Sequence, residues 1–280
     1  MTTVGVVVVL YNPKESQLMQ LNSILEQQTT SVELQLILVD NSTNVNSVAD
    51  SSRLSYISNG GNRGIAYAQN VGIKRAKELG CRLICFFDQD SEYGVGYIER
   101  MVVEYDKIKA KNPSIATLGP LVVDKETNEV YKTKIDGGDS YSPVDTIISS
   151  GSLVEVSTFD VVGDMEEQLF IDLVDHEWCW RAQHFGYTCY QTTQVVLNHK
   201  VGNYNRTILG FPVIISAPAR YYYKFRNFIW LFKRSYVPSN WKIKGLIRKI
   251  AELVCVPFIA GDISIWRYIF SGIKDGLTRR

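Results

Sequence analysis

The sequence predicts an α/β chain with a mainly parallel central sheet and a C-terminal helical extension. Three observations carry that expectation. Short, continuous β-branched runs read as strands buried on both faces. Over about the first 110 residues these runs alternate with segments of helical spacing, the pattern that right-handed crossovers produce. From about Ala217 the chain turns aromatic and basic, still with helical spacing. The expected division is therefore a body over residues 1–216 and an extension over 217–280. With 280 residues, 45% of them hydrophobic, the chain can bury one sizeable core and carry an appendage.

The elements follow in order. Val4 to Leu10 is an apolar run dominated by valine and reads as a buried strand. Lys14 to Gln28 has leucines at helical spacing (Leu18, Leu21, Leu25). Leu34 to Val39 and Arg82 to Phe87 are further buried strands, with a helix over Ala66 to Leu79 between them. Tyr97 to Lys111 is again helical. After Pro113 the pattern shortens: strands are expected over Ile115 to Val123, Glu129 to Thr133 and Thr146 to Val154. Gly- and Ser-rich turns separate them, Gly137-Gly138-Asp139-Ser140 being the clearest. A helix over Asp175 to Phe185 and a strand over Cys189 to Leu197 complete the body.

Net charge is +1, but it is unevenly spread. From Arg220 onward there are 13 Lys or Arg and 3 Asp or Glu; the residues before it hold 17 and 26. An acidic body and a basic tail suit a tail that meets an anionic surface. The basic residues are mixed with aromatic and aliphatic runs such as Leu253 to Ala260, which favours a membrane interface over nucleic acid. A helical cap on the core is the competing reading. No apolar run reaches the ~20 residues needed to span a bilayer. Met1-Thr2-Thr3 leads straight into the first strand without the marks of a secretory leader. Five scattered cysteines suit reduced, buried thiols. The expected location is cytoplasmic, peripheral to the inner face of the cell membrane.

In an open α/β sheet, ligands bind beyond the carboxyl ends of the strands. Tyr11-Asn12-Pro13, Asp40-Asn41-Ser42 and Asp88-Gln89-Asp90 fall at such ends. Asp40 alone reads equally well as a helix cap. Two carboxylates two residues apart repel, and a hard cation relieves them. Mg2+ or Mn2+ uses one or two carboxylates with substrate phosphates; a solvated turn is the other reading. Leu10-Tyr11-Asn12-Pro13 stands where a Gly-x-Gly-x-x-Gly would follow the first strand, which argues against a usual NAD-dependent enzyme. A second acidic cluster is Asp172, Asp175 and Glu177. In a helix Asp172 and Asp175 share a face, though acids at a helix start also favour the dipole. Trp178 and Trp180 lower the local polarity and so help tune a general base.

In this order the segments resemble glycosyltransferase family 2, whose fold is the GT-A nucleotide-diphospho-sugar fold; the resemblance covers roughly residues 4 to 235. Val6 to Asn12 matches the family's opening strand, and Asp40-Asn41-Ser42 its base-recognition turn. Asn62-Arg63-Gly64 to Asn70-Val71-Gly72 matches its Asn-x-Gly…Asn-x-Gly segment. Asp88-Gln89-Asp90 matches the Asp-x-Asp metal motif, and Asp175 to Arg181 the later acidic motif. Phe87 to Ser91, with Arg220-Tyr221-Tyr222 and Arg226-Asn227, looks most like the bacterial rhamnosyltransferase branch, which uses dTDP-L-rhamnose in surface polysaccharide synthesis.

The resemblance implies a nucleotide-sugar site built from Tyr11, Asn12, Asp40, Asn62, Gly64, Asn70, Asp88 and Gln89. It implies Mg2+ or Mn2+ at Asp90 with Asp88 and His199, and a catalytic base at Asp175. Val174 stands where many members place a Glu, so Asp172 and Glu177 stay open as the base. Acceptor contacts are expected from Ser150, Gly151, Glu177, Trp178 and Arg181; His176 and His184 lack the support that the resemblance gives His199 as a ligand. The expected reaction is inverting transfer of L-rhamnose onto a saccharide acceptor, lipid-linked at an anionic membrane, and a homodimer is compatible with it. The alternatives are a UDP-hexose donor on the same fold, or an inactive nucleotide-sugar-binding subunit.

Overall fold

A computed structural model describes residues 1–44, 46, 48, 50–124, 130, 140–199, 206–208, 211–213 and 215–278. The chain forms two compact units: Met1–Phe170 with Val174–Lys200, and Ile171–Leu173 with Val201–Arg280. The first unit runs β1 (Thr2–Leu10), α1 (Glu15–Asn22), β2 (Val32–Asp40), β3 (Leu54–Ser58), α2 (Ile65–Glu78), β4 (Leu83–Asp88) and α3 (Tyr97–Lys111). It continues through β5 (Ile115–Asp124), β6 (Tyr141–Val144), β7 (Leu153–Glu155), α4 (Val156–Val162), α5 (Val174–His184) and β8 (Thr188–His199).

Among the described residues these strands form one eight-stranded sheet, in the order β3-β2-β1-β4-β7-β5-β8-β6. The pairs β3·β2, β2·β1, β1·β4 and β5·β8 are parallel; β7 and β6 run against their neighbours. The sheet is thus mainly parallel, as expected. β1 is buried through most of its length because helices cover both faces, which explains a run of valines rather than an alternation. On one face Val4, Val6, Val8 and Leu10 pack with Leu34, Leu36, Tyr97, Met101, Tyr105 and Ile108. On the other, α2 lies so close that a Cβ on Gly72 would sit 2.3 Å from a Val7 methyl carbon.

The register decides where function can sit. Leu10 pairs with Asp40 and Val9 with Asp88, so β1, β2 and β4 end together at one carboxyl edge. All five cysteines are free, and four are buried; burial pushes the Cys81 thiol up to about 11.

Some elements differ from expectation. The helix expected over Lys14 to Gln28 is helical only to Asn22 and then tightens into a 3₁₀ segment, Ser23–Gln27. The strand expected over Thr146 to Val154 is a strand only at Leu153–Glu155. Ahead of it, Ser152 donates from both its backbone N–H and its hydroxyl to Ser149 O (3.0 and 2.7 Å), a local turn that competes with the ladder. The strand expected over Glu129 to Thr133 lies outside the described residues apart from Val130, as does the turn at 137–139.

The second unit holds the hairpin β9 (Arg206–Ile208) and β10 (Phe211–Val213), then α6 (Pro218–Lys233), α7 (Ser239–Ala260) and α8 (Ile265–Thr278). Pro218 occupies the first turn of α6, where its missing N–H costs nothing. Tyr221, Phe225, Val256, Ile265 and Ile269 form this unit's own core. Glu252, 7% exposed, is paired with Arg248 (3.1 Å) and Lys249 (2.6 Å). No helix among the described residues is long and apolar enough to cross a membrane.

Candidate functional site

At the carboxyl edge of the sheet, Asp40 is fully buried. Its Oδ1 accepts from Ser42 N (2.7 Å), and its Oδ2 from Tyr56 Oη (2.6 Å) and Asn46 Nδ2 (2.5 Å). Burial alone would raise its pKa, but hydrogen bonds from Ser42, Tyr56 and Asn46 outweigh it and hold the carboxyl below its usual value. Asp40 therefore fixes its own turn. Ser42 passes the order on: its Oγ accepts from Asn12 N at 2.7 Å, and Asn12 takes a left-handed φ of 46°. Tyr11, half exposed, is tied to the third cluster. Gln89 Oε1 accepts from Tyr11 N (2.8 Å), and Gln89 Nε2 donates to Tyr11 O (3.3 Å). The ends of β1, β2 and β4 are thus one hydrogen-bonded surface.

The Asn62 to Gly72 segment attaches through Asn41, the middle residue of the Asp40-Asn41-Ser42 turn. Asn41 Nδ2 donates to Gly64 O (3.0 Å), and Asn41 Oδ1 accepts from Asn59 Nδ2 (2.9 Å). Asn62 Oδ1 accepts from Gly64 N at 3.0 Å. Gly64 has φ 89°, and a Cβ there would lie 2.7 Å from Phe170, so both conformation and space demand glycine. Asn70 was expected at the nucleotide; its amide instead exchanges hydrogen bonds with the Met165 backbone (2.8 and 3.0 Å) and donates to Glu167 (2.9 Å).

Asp88 closes β4, and Asp90 projects into solvent two residues on. Ser150 holds this turn from the other side. Its Oγ meets Ser91 Oγ at 2.6 Å and accepts from Asp88 N at 3.4 Å. Gly151 N donates to Phe86 O at 2.7 Å. Glu92 bridges to Asn198, the residue before His199, which brings the end of β8 beside the Asp88–Asp90 turn. The His199 side chain lies outside the described residues. Among those residues no cluster of three or more metal-ligating side chains occurs. An exposed carboxylate two residues from another still fits a hard divalent cation, whose remaining ligands would be phosphate oxygens and water.

The second acidic cluster separates into three different environments. Asp172 belongs to the second unit, where Arg220 binds it through Nε (3.0 Å) and Nη2 (2.6 Å). Glu177 is fully buried and held by Arg181 Nε (2.9 Å) and Nη2 (3.0 Å). Arg181 also donates to Val162 O and Asp164 O, each at 2.7 Å. Trp178 is 2% exposed and donates Nε1–H to Gly163 O at 2.9 Å. Glu177, Trp178 and Arg181, expected at the acceptor, thus have their polar groups turned to protein partners. Asp175, at the start of α5, has no guanidinium among the described residues. Its Oδ1 accepts from His176 N (2.8 Å) and meets His176 Nδ1 (2.9 Å). Burial would raise the Asp175 pKa, but His176 and the Ser149 backbone lower it below its usual value. Burial would lower that of His176, but Asp175 raises it. His176, given no role from sequence, is the partner of the one acid without an arginine. The loop from Ser149 to Ser152 therefore joins both centres: Ser150 touches the Asp88–Ser91 turn, and Ser149 faces Asp175.

The backbone just before α5 is unusual. Phe170, Asp172 and Leu173 have φ of 64°, 66° and 66°, in the left-handed region that costs a non-glycine residue roughly 1–2 kcal/mol.

Comparison with known proteins follows the same outline. Residues 5–150 match the model of glycosyl transferase family 2. The chain is 32% identical over 256 residues to the dTDP-rhamnosyl transferase RfbF of Shigella flexneri, covering 86% of this chain and 83% of RfbF. Among solved structures it resembles S. aureus TarS 1-349 in complex with UDP-GlcNAc (TM-score 0.60, 12% identity, 99% of this chain and 81% of that one). It also resembles GalNAc-T7 with UDP, GalNAc and Mn2+ (TM-score 0.57, 14% identity, 93% of this chain), of which it spans 57%.

Proposed function

The chain belongs to glycosyl transferase family 2, and from that membership we propose that it moves L-rhamnose from dTDP-L-rhamnose onto a hydroxyl of a lipid-linked saccharide, with inversion at the anomeric carbon. The observation that carries the mechanism is the sorting of the three acids: arginines neutralise Asp172 and Glu177, while Asp175 keeps an ionised oxygen beside a histidine. Similarity to a dTDP-rhamnosyl transferase supports the donor.

Asp175 accepts the proton of the acceptor hydroxyl as that oxygen attacks the anomeric carbon. The bond to the diphosphate breaks on the opposite face, so no covalent sugar–enzyme intermediate forms. Asp90, with Asp88 beside it, would hold Mg2+ or Mn2+, which supplies Lewis-acid charge for the leaving diphosphate. The exposed ring of Tyr11 offers a face for the nucleotide base, and the turns fixed by Asp40, Asn41 and Gln89 shape its pocket. Residues 1–216 carry this chemistry. Residues 217–280 associate peripherally with the anionic inner face of a bacterial membrane, where a lipid-linked acceptor presents its hydroxyl. The setting is surface polysaccharide synthesis.

A donor panel tests the reading. Release of dTDP from dTDP-L-rhamnose, dependent on Mg2+ or Mn2+ and lost on Asp90→Ala, is the expected result. Full turnover in excess EDTA would sink the metal assignment. Faster turnover of a UDP-hexose would replace the donor, and binding without turnover of any donor would leave a nucleotide-sugar-binding subunit.

A further inference from the structure

Helix α7 carries an apolar face that none of the described residues covers. Ile243, Leu246, Ile247, Ile250, Val254 and Phe258 are each between 46% and 66% exposed. At 3.6 residues per turn they fall within one arc of about 120°. Cations border that arc on both sides, Lys244 and Arg248 along one edge and Lys242 along the other, while Lys249, 15% exposed, turns inward to Glu252. The helix holds four cations and one carboxylate, Glu252, which is buried on the opposite side with Val256. Arg248 remains 65% exposed while paired with Glu252.

A soluble helix turns its apolar stripe inward and its charges outward. Here Val256 serves the unit's core while a second, wider apolar arc faces away from it. A protein partner would need acids matched to cations on both flanks of a six-residue stripe; an anionic bilayer meets that pattern by its nature. Its phosphates lie level with flanking lysines and its acyl chains below them. A helix of 22 residues at 1.5 Å per residue lies about 33 Å along such a surface.

We propose that α7 is the membrane-docking helix, lying in the plane of an anionic leaflet with Ile243, Ile247, Ile250 and Val254 below the headgroups and Lys242, Lys244 and Arg248 among the phosphates. This deepens the membrane reading given above by naming the face, and it does not depend on which sugar is transferred. The exposed apolar side chains supply attachment that salt does not screen, and the cations supply the part that salt removes.

Co-sedimentation of the full chain with phosphatidylcholine vesicles, with and without phosphatidylglycerol, tests it. The wild type is expected in the pellet with the anionic vesicles, less so at high salt. Ile247→Glu with Val254→Glu should weaken binding about a hundredfold, since each change withdraws a buried aliphatic side chain. Lys244→Glu with Arg248→Glu should weaken it about fivefold per lost cation and flatten the salt dependence. Both pairs lie on exposed positions, and circular dichroism verifies the fold. Wild type in the supernatant at low salt, or the Ile247/Val254 variant binding like wild type, overturns the proposal. So does a dimer that this variant splits into monomers without any vesicle binding, because the face would then be an interface between copies. dTDP release is measured on the same samples. Vesicle binding without turnover would defeat the transferase reading and leave the docking face standing, and turnover without binding the reverse.

Discussion

Asp90 and Asp175 are carboxylates with opposite surroundings. Asp90 stands in solvent beyond β4, whereas Asp175 shares an oxygen with two nitrogens of His176. The pair predicts its own pH behaviour. A depressed Asp175 pKa adds stability that is present above the unfolded value and lost as pH falls through the folded one. A raised His176 pKa adds stability present below 6.5 and lost as pH rises through its folded value. The ion pair is therefore strongest between those two folded values. His176→Gln removes the cation that depresses Asp175, so the acid limb of kcat/KM should move to higher pH; an unmoved limb would show that the histidine does not tune the base. Asp175→Asn should leave donor binding intact and lower kcat on the order of 10²–10⁴-fold. Near-normal turnover in Asp175→Asn, with Asp172→Asn or Glu177→Gln inactive, would reassign the base.

At the scale of elements, the sheet centre was legible because burial on both faces writes itself as an unbroken apolar run. β1, β2 and β4 were found that way, and α3 ends where its periodicity ends, at Tyr97 and Lys111. β3 was missed because Leu54-Ser-Tyr-Ile-Ser58 buries one residue in five. α4 was missed because Val156 to Val162 is rich in β-branched residues that favour strands. The strand ends with acids were legible as a site. The supports were not: Asn70 meets Met165 and Ser150 meets Ser91, partners 95 and 59 residues away that only the fold brings near. Close packing of α2 on β1 gives an element-level prediction. Gly72→Ala should cost about 1–3 kcal/mol in urea unfolding, because its Cβ would press on Val7. Helix propensity alone predicts a gain of about 0.5–1 kcal/mol, so the sign of the change decides between packing and propensity.

Over the whole molecule, charge is divided between an acidic body and a basic tail, legible by counting alone. What counting could not reveal is that the tail's aromatics split: Tyr221 and Phe225 enter a core, while Phe258 and Phe270 stay exposed. Binding to the native chain alone stabilises it by mass action. dTDP with Mn2+ at a hundred times its Kd should add about 2.7 kcal/mol and raise Tm. Asp90→Ala should abolish that rise while leaving the unliganded Tm unchanged, and an equal rise in the variant would place the cation elsewhere.

The left-handed backbone at Phe170, Asp172 and Leu173 bears on how such a chain responds to directed evolution. Glycine adopts that conformation freely, so a screen for heat resistance alone should enrich Leu173→Gly, which recovers roughly 1–2 kcal/mol of strain, less whatever packing the leucine side chain provided. The same change loosens the chain two residues before Asp175. Survivors of that screen should be hardier and slower catalysts, whereas a screen for turnover should keep the strained leucine.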